Sequence, residues 1–385
     1  MAMKGVGVNS FNQINASLKD LTPLTFDKPA FAPYSALPPT ESQPMTALRH
    51  RHIAALALAF IGSSPAMAAD ALPAMRATPE RTSVSGLSSG GFMAVQYGVA
   101  FSSSVVGIGV VAGGPYNCSF VNFGGIQACM SGVPISAASL RAAQGFAALG
   151  QIDPVAGLAR MKVYLFSGRK DTKVSPAVVR ATRDFFADAG VTRPRLDYVS
   201  KLPAGHAFIA PSFGNACDAS DAPYIDRCKV KGGNYDQPKA ILQHIYGPLK
   251  PAVPSLSRTV VPFDQREFGT ASSGLDDIGF VYIPQSCSVN ATVCAVHVVF
   301  HGCKQGARVV GSDVYSSVGY NQWADSNGII VLYPQAVATP PGQWLPFNPE
   351  GCWDWWGYSG LNFQVKSGVQ LAAVKAMVDR LTLAR

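Results

Sequence analysis

The chain predicts an α/β fold, a mainly parallel sheet with helices on both faces. Short and almost unbroken apolar runs, such as Val105-Val106-Gly107-Ile108-Gly109-Val110-Val111 and Ile329-Ile330-Val331-Leu332-Tyr333, suit strands covered on both sides. Between such runs lie stretches with helical spacing, for example 178–189. The third observation is Gly86-Leu87-Ser88-Ser89-Gly90, a G-x-S-x-G string between a β-prone and a helix-prone stretch, which is the strand-turn-helix setting of a nucleophile elbow.

Residues 81–85 suit the strand before that turn and 91–100 a buried helix after it. A nucleophile in so tight a turn needs small neighbours, because strand and helix must approach without Cβ clashes. Ser88 would stand at the helix N-terminus, where free N–H groups and the helix dipole favour negative charge. A buried strand is expected over 104–114. Residues 115–135, with two cysteines and no clear period, read as a loop beside the site. A helix over 139–148 and a strand over 161–168 follow, then Arg169-Lys170-Asp171-Thr172, which puts an acid in the turn after a strand. Beyond the helix at 178–189 come a short strand at 195–199 and the loop Lys201-Leu202-Pro203-Ala204-Gly205-His206-Ala207-Phe208. Ser88, Asp171 and His206 thus occur in the chain order of an α/β-hydrolase triad.

The other histidines of residues 69–385 have simpler readings. His297 lies within an apolar strand at 295–300 and reads as a packed or hydrogen-bonded core residue. His244, in the helical stretch 238–246, reads as a surface or capping group. His301 opens His301-Gly302-Cys303. Asp153 and Asp184 rival Asp171, but one precedes the strand and the other lies inside the following helix.

A hydrolase of this kind has several strands ahead of its nucleophile, and the stretch just before Ser88 is too short to supply them. The missing set is found later in the chain. After a Pro-rich connection near 248–262 come strands at 279–284 and 295–300, the second running into His301-Gly302-Cys303. A helix at 314–324, a strand at 328–334, an aromatic loop and a final helix over 363–382 complete the set. The fold class expected is therefore a circularly permuted α/β-hydrolase, which is permissible because domain termini tend to lie close together at the surface. In that placement the backbone N–H groups of Ser89 and Cys303 could both point at a developing oxyanion.

Composition narrows the partners. Charged residues make up only 14%, against about 25% in ordinary domains. The 31 Lys and Arg exceed the 23 Asp and Glu for a net charge of +8. No basic run interleaved with aromatics accompanies the excess, so no nucleic-acid partner is expected. There is no H-E-x-x-H, C-x-x-C or P-loop, and neither metal nor cofactor is expected. Nothing calls for a partner chain, so a monomer is expected.

A basic stretch at 45–52, an apolar run at 53–62 and small residues before Ala68 read as a secretory signal peptide over 45–68, cut after Ala68. The apolar run falls short of the roughly 20 residues a spanning helix needs, so an integral membrane protein is not expected. Residues 1–44 then form an extension that either follows from a mis-assigned start or is expected to be disordered, and 69–385 form a single catalytic domain, secreted or periplasmic. All eight cysteines fall in that part, and an even count in an exported chain favours disulfides. Eight cysteines allow 105 pairings, among which sequence does not choose; pairing near neighbours would join Cys118 to Cys129, Cys217 to Cys228 and Cys287 to Cys294, leaving Cys303 for Cys352.

Gly86-Leu87-Ser88-Ser89-Gly90-Gly91, Asp171, Gly205-His206-Ala207-Phe208, His301-Gly302-Cys303-Lys304-Gln305 and Asn348-Pro349-Glu350-Gly351-Cys352-Trp353-Asp354-Trp355-Trp356 together resemble the secreted polyhydroxybutyrate depolymerases of the single-domain, circularly permuted type. The resemblance spans essentially all of 69–385. It implies a serine esterase of poly(3-hydroxybutyrate) with Ser88, Asp171 and His206 as triad, Ser89 and Cys303 as oxyanion donors, and Asn348 and Trp353 near the bound polymer. Trp353, Trp355, Trp356 and Tyr358 are divided between packing and a grip on an apolar polyester strand, with Trp355 also counted toward substrate. Many bacterial relatives append a polymer-binding domain; without one, adsorption would fall to the catalytic domain's own surface. The competing functions are a feruloyl or acetylxylan-type carboxylesterase and a non-catalytic polymer-binding protein.

Overall fold

Strand β1 (Thr82–Leu87) is buried at every position, as a strand lying between two others and under helices must be. It leads through Ser88 into α1 (Ser89–Ala100), all twelve residues of which are buried. The computed structural model describes residues 69–383 apart from 271, 289–292 and 344–346, all within the unit Pro65–Arg385. The extension and signal peptide expected over 1–68 lie outside the described residues.

The chain continues through β2 (Val105–Val111), α2 (Ser136–Ala148), β3 (Lys162–Phe166), α3 (Pro176–Asp188), β4 (Leu196–Val199) and α4 (Gln237–Tyr246). Its second half supplies β5 (Val261–Asp264), β6 (Ile278–Tyr282), β7 (Ala295–Phe300), α5 (Tyr320–Asn327), β8 (Ile329–Tyr333) and α6 (Val369–Thr382). These strands form one eight-stranded sheet in the order β5-β6-β8-β7-β1-β2-β3-β4. From β8 to β4 every neighbour is parallel, while β6 runs antiparallel to both β5 and β8. The fold is a circularly permuted α/β-hydrolase: the strands that come last in sequence complete the sheet beside β1. The ends of the described chain meet accordingly, with Met75 N and Ala77 N donating to Leu381 O, and Arg76 N to Leu383 O.

Some elements differ from expectation. Strand β5 was read as part of a Pro-rich connection. It is an edge strand of four residues containing Pro262, a residue that edge positions tolerate and central ones do not. The last helix begins at Val369, after Gly368, so 363–368 are turns. The loop at 115–135 holds two short helices, Cys118–Val121 and Gly125–Met130. Between β4 and α4, residues 208–227 form a small three-stranded sheet outside the main one. All four disulfides join the expected pairs.

Two features bind the β1–α1 unit to β7. The first is polar: His297 on β7 places Nδ1 2.6 Å from Ser83 Oγ and Nε2 2.8 Å from Ser85 Oγ. The two serines in turn meet the hydroxyls of Tyr246 and Tyr320 at 2.6 and 2.8 Å. Burial pushes the His297 pKa down to about 3, so the ring is a neutral clamp across the two strands. The second is steric. A Cβ on Gly90 would lie 2.3 Å from Phe300 O and 2.4 Å from His301 O, and backbone oxygens at the end of a central strand cannot withdraw. Gly90→Ala is therefore expected to lower stability by about 1–3 kcal/mol, the usual cost of overpacking a core. Denaturant midpoints measure it; a midpoint equal to wild type would show that helix and strand are not locked together there.

Candidate active site

The polar residues singled out by sequence converge on the C-terminal edge of the parallel strands. Ser88 follows β1 with φ 56° and ψ −122°, a conformation that costs a non-glycine residue energy and that an elbow imposes on its nucleophile. Its carbonyl accepts the first helical bond from Phe92 N, and its own N–H donates to Val111 O at 2.9 Å. Similar bonds continue across the edge: Ala112 N donates to Phe166 O, and Ser167 N to Val199 O. The loops after β1, β2 and β3 are thereby held to neighbouring strands beyond the ends of the sheet ladder.

Asp171 and His206 are brought together. Asp171 Oδ2 lies 2.8 Å from His206 Nδ1, with both side chains buried. The other carboxylate oxygen accepts from Lys173 N at 2.8 Å and Val174 N at 2.9 Å. Three bonds hold this carboxylate, and charge-assisted bonds of that kind are strong and directional. His206 N donates to Ser220 Oγ at 2.9 Å, and Gly205 N to Cys217 O, so the Cys217–Cys228 disulfide supports the histidine loop. No hydrogen bond joins Ser88 Oγ to His206 among the described residues, and catalytic bonds of this type often close only around substrate. The rival acids are engaged elsewhere: Asp153 with Ser103 N and Lys366, Asp184 with Arg183.

Ser89 begins α1 and Cys303 follows β7, the strand paired with β1. Among the described residues neither backbone N–H has an acceptor. Cys303 is tied to Cys352 by a disulfide, and Trp353 N donates to Ser89 Oγ at 3.3 Å, so the aromatic segment is fastened to the side chains of both residues.

The substrate-binding candidates are placed differently from expectation. Asn348, Trp353 and Trp355 are all buried, Trp353 with no exposed surface at all. Asn348 Nδ2 donates to Val337 O, Cys352 O and Tyr358 Oη, and its Oδ1 accepts from Cys352 N. Its polar atoms hold the segment in shape. Trp353 packs against Phe300 and His301, and Trp355 stacks on Phe92 at 4.3 Å. These rings are core packed on α1 and on the end of β7, because large apolar surface adjoining a sheet end is driven inside. The Trp353 indole N–H is buried without a partner.

Sequence reading gave no role to Asp354, which proves to organise that segment. Its buried carboxylate accepts from the N–H groups of Trp356, Gly357, Tyr358 and Ser359 and from Ser359 Oγ. Burial raises its pKa, and the bonds from Ser359 and its neighbours act against that rise. The signal was available: an acid between tryptophans in an apolar stretch must find donors.

Curated proteins and solved structures resemble this chain closely. A poly(3-hydroxybutyrate) depolymerase of Delftia acidovorans is 42% identical over 86% of the chain and 65% of its own length. A polyhydroxybutyrate depolymerase of Talaromyces funiculosus is 40% identical over 82% of the chain and 93% of its own length. The chain belongs to the polyhydroxybutyrate depolymerase family. The crystal structure of the depolymerase from Penicillium funiculosum superposes with a TM-score of 0.73 at 38% identity, covering 81% of this chain and 98% of that one. A serine-to-alanine variant of a PHB depolymerase complexed with an R3HB trimer superposes equally well. No family model matches the chain. The chain spans just under two thirds of the Delftia protein, as the 65% coverage states.

Close to the histidine loop lies a buried acid without partners. Asp226 has no exposed surface and neither carboxylate oxygen meets a donor. Burial, reinforced by the charges of Asp218 and Asp221, pushes its pKa up to about 8. The native state thus keeps a proton that the unfolded chain, with an ordinary aspartate pKa near 3.9, has released. Stability contributed by this group is present below about pH 4 and lost as pH rises through about 8. Asp226→Asn is expected to stabilise the protein at neutral and alkaline pH, with a gain that grows between pH 4 and 8 and then levels off. Urea midpoints for both proteins across that range measure it; a gain that does not change with pH would refute the buried neutral carboxyl.

Proposed function

We propose that this protein is a secreted serine esterase that hydrolyses poly(3-hydroxybutyrate) or its oligomers through an acyl-enzyme. The observation that carries the reading is the buried Asp171–His206 pair, on the same sheet edge as a strained Ser88 at a helix start, in a chain of the polyhydroxybutyrate depolymerase family. His206 takes the proton from Ser88 as Oγ attacks the ester carbonyl and later returns it to the leaving alcohol. Asp171 fixes the ring with Nδ1 protonated and stabilises the imidazolium that forms. The N–H groups of Ser89 and Cys303 receive the charge that develops on the carbonyl oxygen. Water then releases a hydroxyacid or a shorter oligomer. Four disulfides support an oxidising compartment. No described helix is long and apolar enough to cross a membrane.

Adsorption to polymer is assigned to an uncharged apolar surface rather than to the buried tryptophans. Residues 117–135 contain no charged side chain, and Phe120, Phe123, Ile126, Val133 and Ile135 are exposed there, Phe123 completely. The surface adjoins the site: Met130 O accepts from Ser175 N, just beyond Asp171, and Ser119 Oγ donates to Trp355 O. Exposed apolar patches of this kind mark contact with an apolar partner, and the Cys118–Cys129 bridge keeps this one in shape.

Ser88→Ala and His206→Ala are each expected to abolish turnover of p-nitrophenyl butyrate with the circular dichroism spectrum unchanged, and Asp171→Asn to lower it by about 10⁴-fold, as loss of the orienting anion does in other triads. Wild-type rates in any of the three would remove that residue from the triad. Phe123→Ser should weaken binding to amorphous polymer films while leaving p-nitrophenyl butyrate turnover unchanged. Substrate class is tested on a panel of 3-hydroxybutyrate oligomers, amorphous and crystalline polymer, and feruloylated and acetylated xylan. Oligomers and amorphous polymer should be cleaved well and crystalline polymer poorly. Faster release of ferulate or acetate than of hydroxybutyrate would establish a plant-wall carboxylesterase instead.

A further inference from the structure

The turn that carries Cys303 has a hydrogen-bond arrangement in which a single amide is left over. His301 is buried, and its Nε2 accepts from Ala336 N at 3.0 Å. A ring nitrogen that accepts carries no proton, so in the neutral imidazole the proton sits on Nδ1. Burial favours that neutral form, pushing the pKa down to about 4. Nδ1–H then donates to Gly302 O at 2.7 Å. In a planar trans peptide the carbonyl and the following N–H point in opposite directions. With Gly302 O turned onto the buried ring, Cys303 N–H is turned away from it.

A second side chain fixes the preceding amide. Gly302 N donates to Gln305 Oε1 at 2.7 Å, and Gln305 Nε2 donates to Pro223 O at 2.8 Å and Tyr224 O at 3.0 Å. Tyr224 O also accepts from Phe208 N, two residues after His206. Gln305 therefore joins the Cys303 turn to the segment that carries the histidine. On the far side Lys304 N donates to Glu350 O at 2.7 Å. Every polar backbone group from Gly302 N to Lys304 N is thus engaged except the Cys303 N–H and the Cys303 carbonyl, and buried or half-buried amides are seldom left so without a reason.

We propose that His301 and Gln305 are positioning residues that set the direction of the Gly302–Cys303 peptide and so aim the Cys303 N–H at the oxyanion. The proposal rests on the esterase reading above. Neither side chain touches substrate; His301 acts on the Gly302–Cys303 peptide itself and Gln305 on the peptide that precedes it.

The test compares His301→Leu, His301→Asn and Gln305→Ala with wild type. Turnover and Michaelis constant are measured with p-nitrophenyl butyrate, and affinity with butylboronic acid, which adds to a serine nucleophile to give a tetrahedral adduct. An asparagine can offer its side-chain N–H where histidine offers Nδ1–H; leucine cannot. In His301→Leu, kcat is expected to fall roughly 100-fold, the scale of losing one oxyanion donor, with the boronate bound weaker by a similar factor and KM little changed. His301→Asn should recover a large part of both, and Gln305→Ala should fall between. A purely structural turn would instead lower the melting temperature while leaving kcat and boronate affinity of the folded fraction intact, and that result would overturn the proposal. So would a rise in KM at constant kcat. If His301→Leu does not fold, Gln305→Ala and His301→Asn decide by the same measurements. Wild-type protein inert to both ester and boronate would instead overturn the esterase reading, and this proposal with it.

Discussion

The contact on which the site depends is the approach of the elbow helix to the end of β7, where Gly90 faces the carbonyls of Phe300 and His301 at a distance no side chain could occupy. Ser88 and Ser89 belong to the helix side of that contact and Cys303 to the strand side. Their separation is set by backbone against backbone, which is stiffer than any arrangement of side chains. Parallel pairing of β1 with β7 brings the C-terminal ends of the two strands level, and His297 holds the register by bridging Ser83 and Ser85. A one-residue slip would reverse every side chain on β1 and displace Ser88 from the Cys303 turn.

Electrostatics around this contact follow a simple division. His297 and His301, both buried beside the sheet, are kept neutral by the cost of burying charge and serve as fixed donors and acceptors. His206 is the histidine that meets a carboxylate, Asp171, itself held by two backbone amides. Three imidazoles of the same intrinsic chemistry are thus separated into two structural groups and one candidate base by their neighbours alone. The aromatic segment supports the division from outside, because Asp354 and Asn348 gather its backbone into a shape that packs Trp353 and Trp355 against the site.

How much of this was legible in the sequence varied with the range of the cause. The elbow, the central strands and the permuted order could be read because apolar runs and glycine spacing act locally, and near-neighbour pairing gave the disulfides. Asp171 and His206 could be nominated because they follow strands in the right order, although nothing local says that they meet. Strand β5 was missed because four residues with a proline carry little pattern. The tryptophans of that segment divide between packing and substrate contact in the sequence, because a cluster of aromatics looks alike whether it faces a ligand or a core; their packing partners Phe92, Phe300 and His301 put Trp353 and Trp355 in the core. Gln305 carries no legible role because its acceptors, Pro223 and Tyr224, lie on a segment distant in sequence, whereas the donors to Asp354 are its own next residues, 356–359, whose turn apolar patterning does not reveal.

The central claim, that Ser88 attacks an ester carbonyl beside the Cys303 turn, is tested most directly by trapping the intermediate. Wild-type protein would be mixed with a 3-hydroxybutyrate oligomer, quenched in acid within the first turnovers, digested and examined by mass spectrometry. The expected result is a hydroxybutyryl-type adduct confined to the peptide that contains Ser88 and absent from Ser88→Ala. Oligomer cleavage by wild type with the adduct on another residue, or by Ser88→Ala at an undiminished rate, would contradict the assignment of the nucleophile.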